Sequence, residues 1–196
     1  MPATRSIVLA VCLMAAAPAA AHQGARPGAP ARDTTLSAAP PLPVIKPAPD
    51  FSLLDTGGRP VRLADLRGRV VLLSFIYTRC TDACPLLTAR MARLQKRLGP
   101  RGAESVRLLT VTVDPERDTG GVLLDYARRF GAELGGWQFL RAEAAALEPM
   151  LSAYDEWRRP AAGGAIDHPA RLYLIDRAGR IREIYALGFF DERQAL

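Results

Sequence analysis

Residues Val70 to Tyr77 read VVLLSFIY. A strand with one wet face alternates polar and apolar side chains, so an apolar run of this kind describes a strand covered on both faces. Such a strand sits inside a sheet with helices packed on each side. At 196 residues, 49% of them hydrophobic, the chain is long enough for one domain with a real core and too short for a second full one.

The flanking segments supply the layers. FSLLDTGGRPVRLADLRGR predicts two short strands around a turn at Gly57 and Gly58. Leu87, Met91, Leu94 and Leu98 recur at helical spacing and predict an amphipathic helix from Pro85 to about Leu98. VRLLTVTV, Val106 to Val113, is the next strand. Leu123, Ala127 and Phe130 mark a second helix, entered through DPERDT, where Asp118 or Thr119 can cap the first amides. WQFL reads as a short strand and AALEPMLSAYDEW as a third helix disturbed at Pro149. RLYLID and RIREIYAL form a hairpin across RAG. The order predicts a mixed α/β sandwich.

Ahead of this domain, Arg5, the apolar stretch SIVLAVCLMAAAPAA and small residues up to Ala21 have the pattern of a secretory signal, residues 1–21, removed before His22. An uncleaved anchor needs roughly 20 apolar residues, and this run is shorter and interrupted by Pro18. A lipoprotein would modify Cys12, but bulky Val11 precedes it. Residues 22–48 are rich in Pro, Ala and Gly and read as a flexible tether, leaving 49–196 as the folded domain. Loss of Arg5 leaves 25 basic against 20 acidic residues, a net charge near +5. The bases are scattered and no basic run is interleaved with aromatics, which argues against nucleic-acid binding. Weak attraction to an anionic membrane surface or acidic partner remains open.

With Cys12 removed, Cys80 and Cys84 in FIYTRCTDACPLL are the whole thiol inventory of an exported chain. A structural disulfide is one reading, although so short a loop gains little from cross-linking. Pro85 favours the first helical position, which places Cys84 just outside the helix and Cys80 in the loop before it. A helix N-terminus stabilises anions and lowers thiol pKa values, so the spacing permits both redox and metal chemistry. His22 could chelate copper through its amine and ring if cleavage frees it. His168, in GGAIDHPARLYLID, stands at the end of a glycine stretch just before a strand. Two thiolates and one imidazole suit copper(I), with zinc second. A structural zinc site wants a fourth protein ligand, for which the sequence offers carboxylates such as Asp82 or Asp167.

The ordered set PDFSL, GRVVLLSFIYTRCTDACP, VTVDPERDT and IDHPARLYLIDRAG, spanning about Pro49 to Phe190, resembles the SCO/SenC family of copper-handling proteins. The resemblance implies a thioredoxin-like fold, a central mixed β-sheet flanked by helices. It also implies a copper ion held by Cys80, Cys84 and His168. The implied role is copper delivery to the cytochrome c oxidase subunit that carries the binuclear copper centre, in the periplasm. The implied alternative is a dedicated thiol-disulfide oxidoreductase in which Cys80 and Cys84 keep that subunit's cysteines reduced. Other copper chaperones or thioredoxin-like reductases are further implied partners. Thr81 stands where the family usually has proline, Pro169 follows the histidine where serine is common, and many relatives continue past the position of Leu196 into a longer helix. Asp114, Arg117 and Asp118 read as turn and cap residues or partner contacts, and Asp167 equally as a turn residue or as an acceptor that orients the imidazole. A peroxiredoxin-like reading of TDAC fails for lack of proline at Tyr77.

Overall fold

The computed structural model of the chain describes residues 42–190. The signal segment, most of the tether, Cys12 and His22 lie outside the described residues. β4 (Val70–Ile76) takes the central place the sequence predicts: Val71 to Ile76 are each at most 3% exposed. It lies parallel to β5 (Val106–Thr112), which is parallel to β6 (Trp137–Arg141), and antiparallel to β9 (Arg171–Ile175). β10 (Arg180–Ala186) pairs antiparallel with β9, and the hairpin β2 (Ser52–Asp55) and β3 (Pro60–Arg62) closes the other edge beside β6.

Side-chain alternation separates two layers. α1 (Ala83–Ser105) joins β4 to β5 and α2 (Gly120–Arg129) joins β5 to β6; right-handed crossovers set both on one face. There Thr88 of α1 meets the Tyr126 hydroxyl of α2 at 2.9 Å, and Tyr126 packs on Phe139 at 6.3 Å between ring centroids. Ser74, Thr110 and Trp137 belong to this face, and the polar atoms are satisfied together: Ser74 Oγ lies 3.0 Å from Thr110 Oγ1, which accepts from Trp137 Nε1 at 2.9 Å. The opposite face carries Phe75 and Tyr173 against Tyr154, the residue after α3 (Ala144–Ala153).

Three differences from the expected layout have physical reasons. The predicted stripe of α1 holds, with Leu87, Met91 and Leu94 fully buried. Helix resumes beyond Leu98, however, because Gly99 (φ 62°, ψ −173°) breaks the first segment and Pro100 opens a second that reaches Ser105. At Pro149, where the sequence predicts a disturbance, α3 loses the N–H that would meet the Ala145 carbonyl but runs on unbroken to Ala153. The sheet also begins at β1 (Lys46–Pro47), inside the stretch read as tether. Its pairing covers the otherwise open edge of β10, with the Ile45 N–H donating to Ile181 O at 2.9 Å and the Ala48 N–H to Gly179 O at 3.0 Å. Among the described residues no helix is long and apolar enough to cross a membrane.

Candidate metal centre

β4 delivers Tyr77, 6% exposed, to the end of the sheet, and the chain turns there: the Cys80 N–H donates to Tyr77 O at 3.2 Å. Asp82 precedes α1 without capping it through its side chain, and Ala83 is the first helical residue. Cys84 therefore lies in the first turn of α1, not outside it as Pro85 suggested. Proline fits the third helical position as well as the first, because the amides of the first turn have no helical acceptor. The Cys84 amide is one of these free donors, and it points at Cys80 Sγ from 3.3 Å.

The two thiols are free and unequal. Cys84 is 1% exposed and Cys80 half-buried. The Cys84 thiol donates towards Cys80 and, against the opposing effect of burial, holds the Cys80 thiol well below its ordinary pKa. The amides of Asp82 and Cys84 and the Tyr77 hydroxyl add to this. Cys84 is pushed up by the same contact and by burial. The pair thus carries its thiolate on Cys80 and its proton on Cys84. Burial first, then the two thiols, raise Tyr77, which stays a hydroxyl donor.

A two-stranded ribbon, β7 (Arg159–Pro160) with β8 (Ile166–Asp167), leads into His168. The turn Ala162–Gly164 between them is not a loose glycine stretch: Gly163 and Gly164 adopt φ of 68° and 74°, which glycine alone takes without strain. Arg79 donates to Gly164 O at 2.8 Å, joining the cysteine loop to the ribbon. His168 Nε2 then stands 3.5 Å from Cys84 Sγ, with its ring edge-on to Tyr77 at 5.8 Å. Burial lowers its pKa, so the neutral, ligating form is favoured. The Pro169 backbone partly offsets this, and among the described residues no well-formed hydrogen bond reaches the buried Nδ1 of the ring. Asp167 is exposed and pairs through its backbone with Arg159; its charge is felt by the ring, while among the described residues no hydrogen bond joins it to His168.

The Cys80–Cys84 pair and His168, far from it in sequence, are thus gathered at one end of the sheet. A metal about 2.3 Å from a thiolate and about 2.0 Å from an imidazole nitrogen sets those donors about 3.5 Å apart at a tetrahedral angle, which is the Cys84–His168 separation. Among the described residues no three His, Cys, Asp or Glu side chains form a closed metal shell. Asp82 is exposed, like Asp167. Of the remaining candidates, Arg117 pairs with Asp114 at 3.1 Å, and Thr119 caps α2 by accepting from the Val122 N–H at 3.4 Å. Asp118 is fully buried and binds Thr78 and Thr112 instead of capping. A cleft of about 560 Å³ lined by Asp114, Glu116, Arg158, Arg159 and Ile166 opens beside the ribbon. Sequence reasoning missed Tyr77, Thr78 and Arg79, which lie in the same quoted stretch as the cysteines but bear no metal-ligand chemistry.

The SCO1/SenC family model matches residues 44–195. The chain belongs to the SCO1/SenC family. It is 30% identical over 138 residues to the SCO1 protein homologue of Bacillus subtilis, a match covering 69% of this chain and 71% of that one. Against the mitochondrial SCO2 homologue of Bos taurus it is 32% identical over 143 residues, 70% of this chain but only 53% of the relative, so it spans about half of that protein's length. Among solved structures it is similar to Bradyrhizobium japonicum ScoI with copper bound, with a TM-score of 0.66 and 28% identity, covering 76% of this chain and 94% of that one. It is also similar to BsSco, described for a disulfide switch and as a member of the Sco family of cytochrome c oxidase assembly proteins, with a TM-score of 0.68, 25% identity and coverage of 79% and 93%. The fold is thioredoxin-like, with a mixed sheet between helices.

Proposed function

We propose that this SCO1/SenC protein handles copper: Cys80, Cys84 and His168 hold one copper ion as cargo and hand it, by ligand exchange, to the cytochrome c oxidase subunit that carries the binuclear copper centre. The observation that carries this reading is the 3.5 Å approach of His168 Nε2 to Cys84 Sγ, a spacing that a shared metal would itself impose. Two soft sulfurs and a neutral imidazole suit copper, and the copper-bound ScoI relative supports the choice. Cys80 sits on a loop and can turn its sulfur from the Cys84 amide towards the other two donors. Anaerobic copper(I) titration of the reduced protein tests this: one copper per chain is expected, with retention lost in Cys80→Ser and Cys84→Ser and weakened in His168→Ala. Equal retention in Cys80→Ser overturns the reading.

The inequality of the thiols favours a second reading, a dedicated thiol-disulfide oxidoreductase, and the disulfide switch named for BsSco supports it. The Cys80 thiolate attacks a partner disulfide and releases one partner thiolate. The Cys84 sulfur, its proton passing to a released partner thiolate, then attacks Cys80 Sγ, releasing the second partner sulfur and leaving a Cys80–Cys84 disulfide. Partner reduction that survives His168→Ala supports this reading over copper delivery. Residues 1–21 as a cleaved signal, followed by a tether that ends before β1, would place either activity in the periplasm; the mass of the mature chain checks the cleavage.

A further inference from the structure

Asp118 is 0% exposed, and the donors that meet its carboxylate are uncharged. The Thr78 N–H donates to Oδ2 at 3.0 Å, the Thr112 hydroxyl donates to the same oxygen, and the Thr78 hydroxyl donates to Oδ1. Taking a carboxylate out of water is costly unless it is well bonded. The local need of the chain does not explain it, since Thr119 caps α2 and the turn closes through backbone bonds, with the Asp118 N–H donating to Asp114 O at 2.8 Å. What the carboxylate does is join two strand ends. Thr112 ends β5 and also accepts from the Asp114 N–H at 2.9 Å. Thr78 follows Tyr77 at the exit of β4, two positions before Cys80. We propose that Asp118 is a positioning residue for the cysteine loop: by gripping Thr78 through both its amide and its hydroxyl, it fixes the base from which Cys80 is presented to Cys84.

The other ties on this loop are mostly internal to it: the Cys80 N–H to Tyr77 O, and the Asp82 and Cys84 amides, the Tyr77 hydroxyl and the Cys84 thiol to Cys80 Sγ; from farther off, Arg79 reaches Gly164 O. Cys84 is held by a helix and a packed core, whereas Cys80 is held by a short irregular segment. Losing the grip on Thr78 leaves the loop to be ordered each time three donors converge, an entropic cost borne by the bound state. The effect on metal binding rests on the copper reading above; the effect on the loop does not.

The experiment compares amide hydrogen exchange and copper(I) affinity in the full-length wild type, Asp118→Asn, Thr78→Val and Thr78→Ser. Asparagine presents an NH₂ donor to at least one of the groups that now donate to Asp118, and valine removes the Thr78 hydroxyl while keeping the shape. Exchange at the Cys80 and Cys84 amides is expected to quicken about tenfold or more in Asp118→Asn and Thr78→Val, the order expected for losing a hydrogen bond to a charged group. Amides of Leu73 in β4 and Met91 in α1 should stay as in the wild type. Thr78→Ser, which keeps a hydroxyl, should restore the wild-type pattern, and copper affinity should fall about tenfold in the first two variants and recover in the third. Unchanged loop exchange, or exchange raised equally across the sheet, overturns the proposal. If the wild type binds no copper, the copper reading falls while the exchange data still decide the role of Asp118.

Discussion

The Tyr173 hydroxyl has one hydrogen but two acceptors, Tyr154 O at 2.7 Å and Glu156 Oε1 at 2.6 Å. Shared between two acceptors, that hydrogen gives Glu156 less than a full bond, and among the described residues the buried Glu156 Oε2 has no hydrogen-bond partner, so the charged form is poorly compensated. The surroundings agree. Glu156 is 5% exposed, and Arg171, at 3.6 Å, is turned partly to solvent. Burial raises the acid from 4.5 to about 7, against the effects of the Tyr173 bond and of Arg171, and exposed Asp155, itself bonded to Lys46, adds a small upward push. A raised carboxyl pKa means that the folded state favours the protonated form. The stabilisation is complete below about pH 4.5 and is lost as the pH rises through about 7. The wild type should therefore lose about 3 kcal/mol across that window, whereas Glu156→Gln should not. Urea midpoints of both proteins at the two ends of the window check it, and parallel pH profiles would refute it.

At the scale of elements, the contact between α2 and the β2–β3 turn is set by backbone. A Cβ at Gly120, the first residue of α2, would stand 2.5 Å from Thr56 O, and neither side can yield by rotating a side chain. Gly120→Ala is expected to destabilise by about 1–3 kcal/mol, while Gly121→Ala, with open space at its Cβ, should be close to neutral. Chemical denaturation of the pair separates the two outcomes. β4 and the stripe of α1 were legible in the sequence because burial on two faces, or on one helical face, leaves a periodic imprint. Cys80, Cys84 and His168 could be singled out in the sequence because few other residues have their chemistry, and were grouped as one set by the family resemblance alone. The start of α1 was not, since a positional preference of proline was set against a sulfur–amide contact visible only in three dimensions. β1 and the β7–β8 ribbon are two-residue pairings, too short to carry a period, and the glycines that look like slack are what close the ribbon's turn.

For the molecule as a whole, the domain boundary matters. The order β1-β10-β9-β4-β5-β6-β2-β3 places β1 at an edge, where Lys46 Nζ also reaches Asp155 Oδ2 at 2.5 Å and Ala153 O at 3.3 Å. A chain begun at Pro49, the boundary drawn from sequence, should melt several degrees below one begun at Leu42, as expected for about 1 kcal/mol in a domain of this size. It should also aggregate sooner, because the edge of β10 is left open. Equal melting temperatures would show β1 to be dispensable.

Cys84 and His168 lie 3.5 Å apart although 84 positions separate them, whereas Cys80 and Cys84 are near neighbours along the chain. A cargo held as proposed above would meet these donors at different moments in the life of the polypeptide. The two sulfurs are near neighbours along the chain in any conformation, so an unfolded or newly made chain could already capture a soft cation. The imidazole joins only after β9 has docked beside β4, so the third bond is available to the native state alone. That bond makes loading a form of proofreading, in which the holding time of the ion reports whether the chain that carries it has folded.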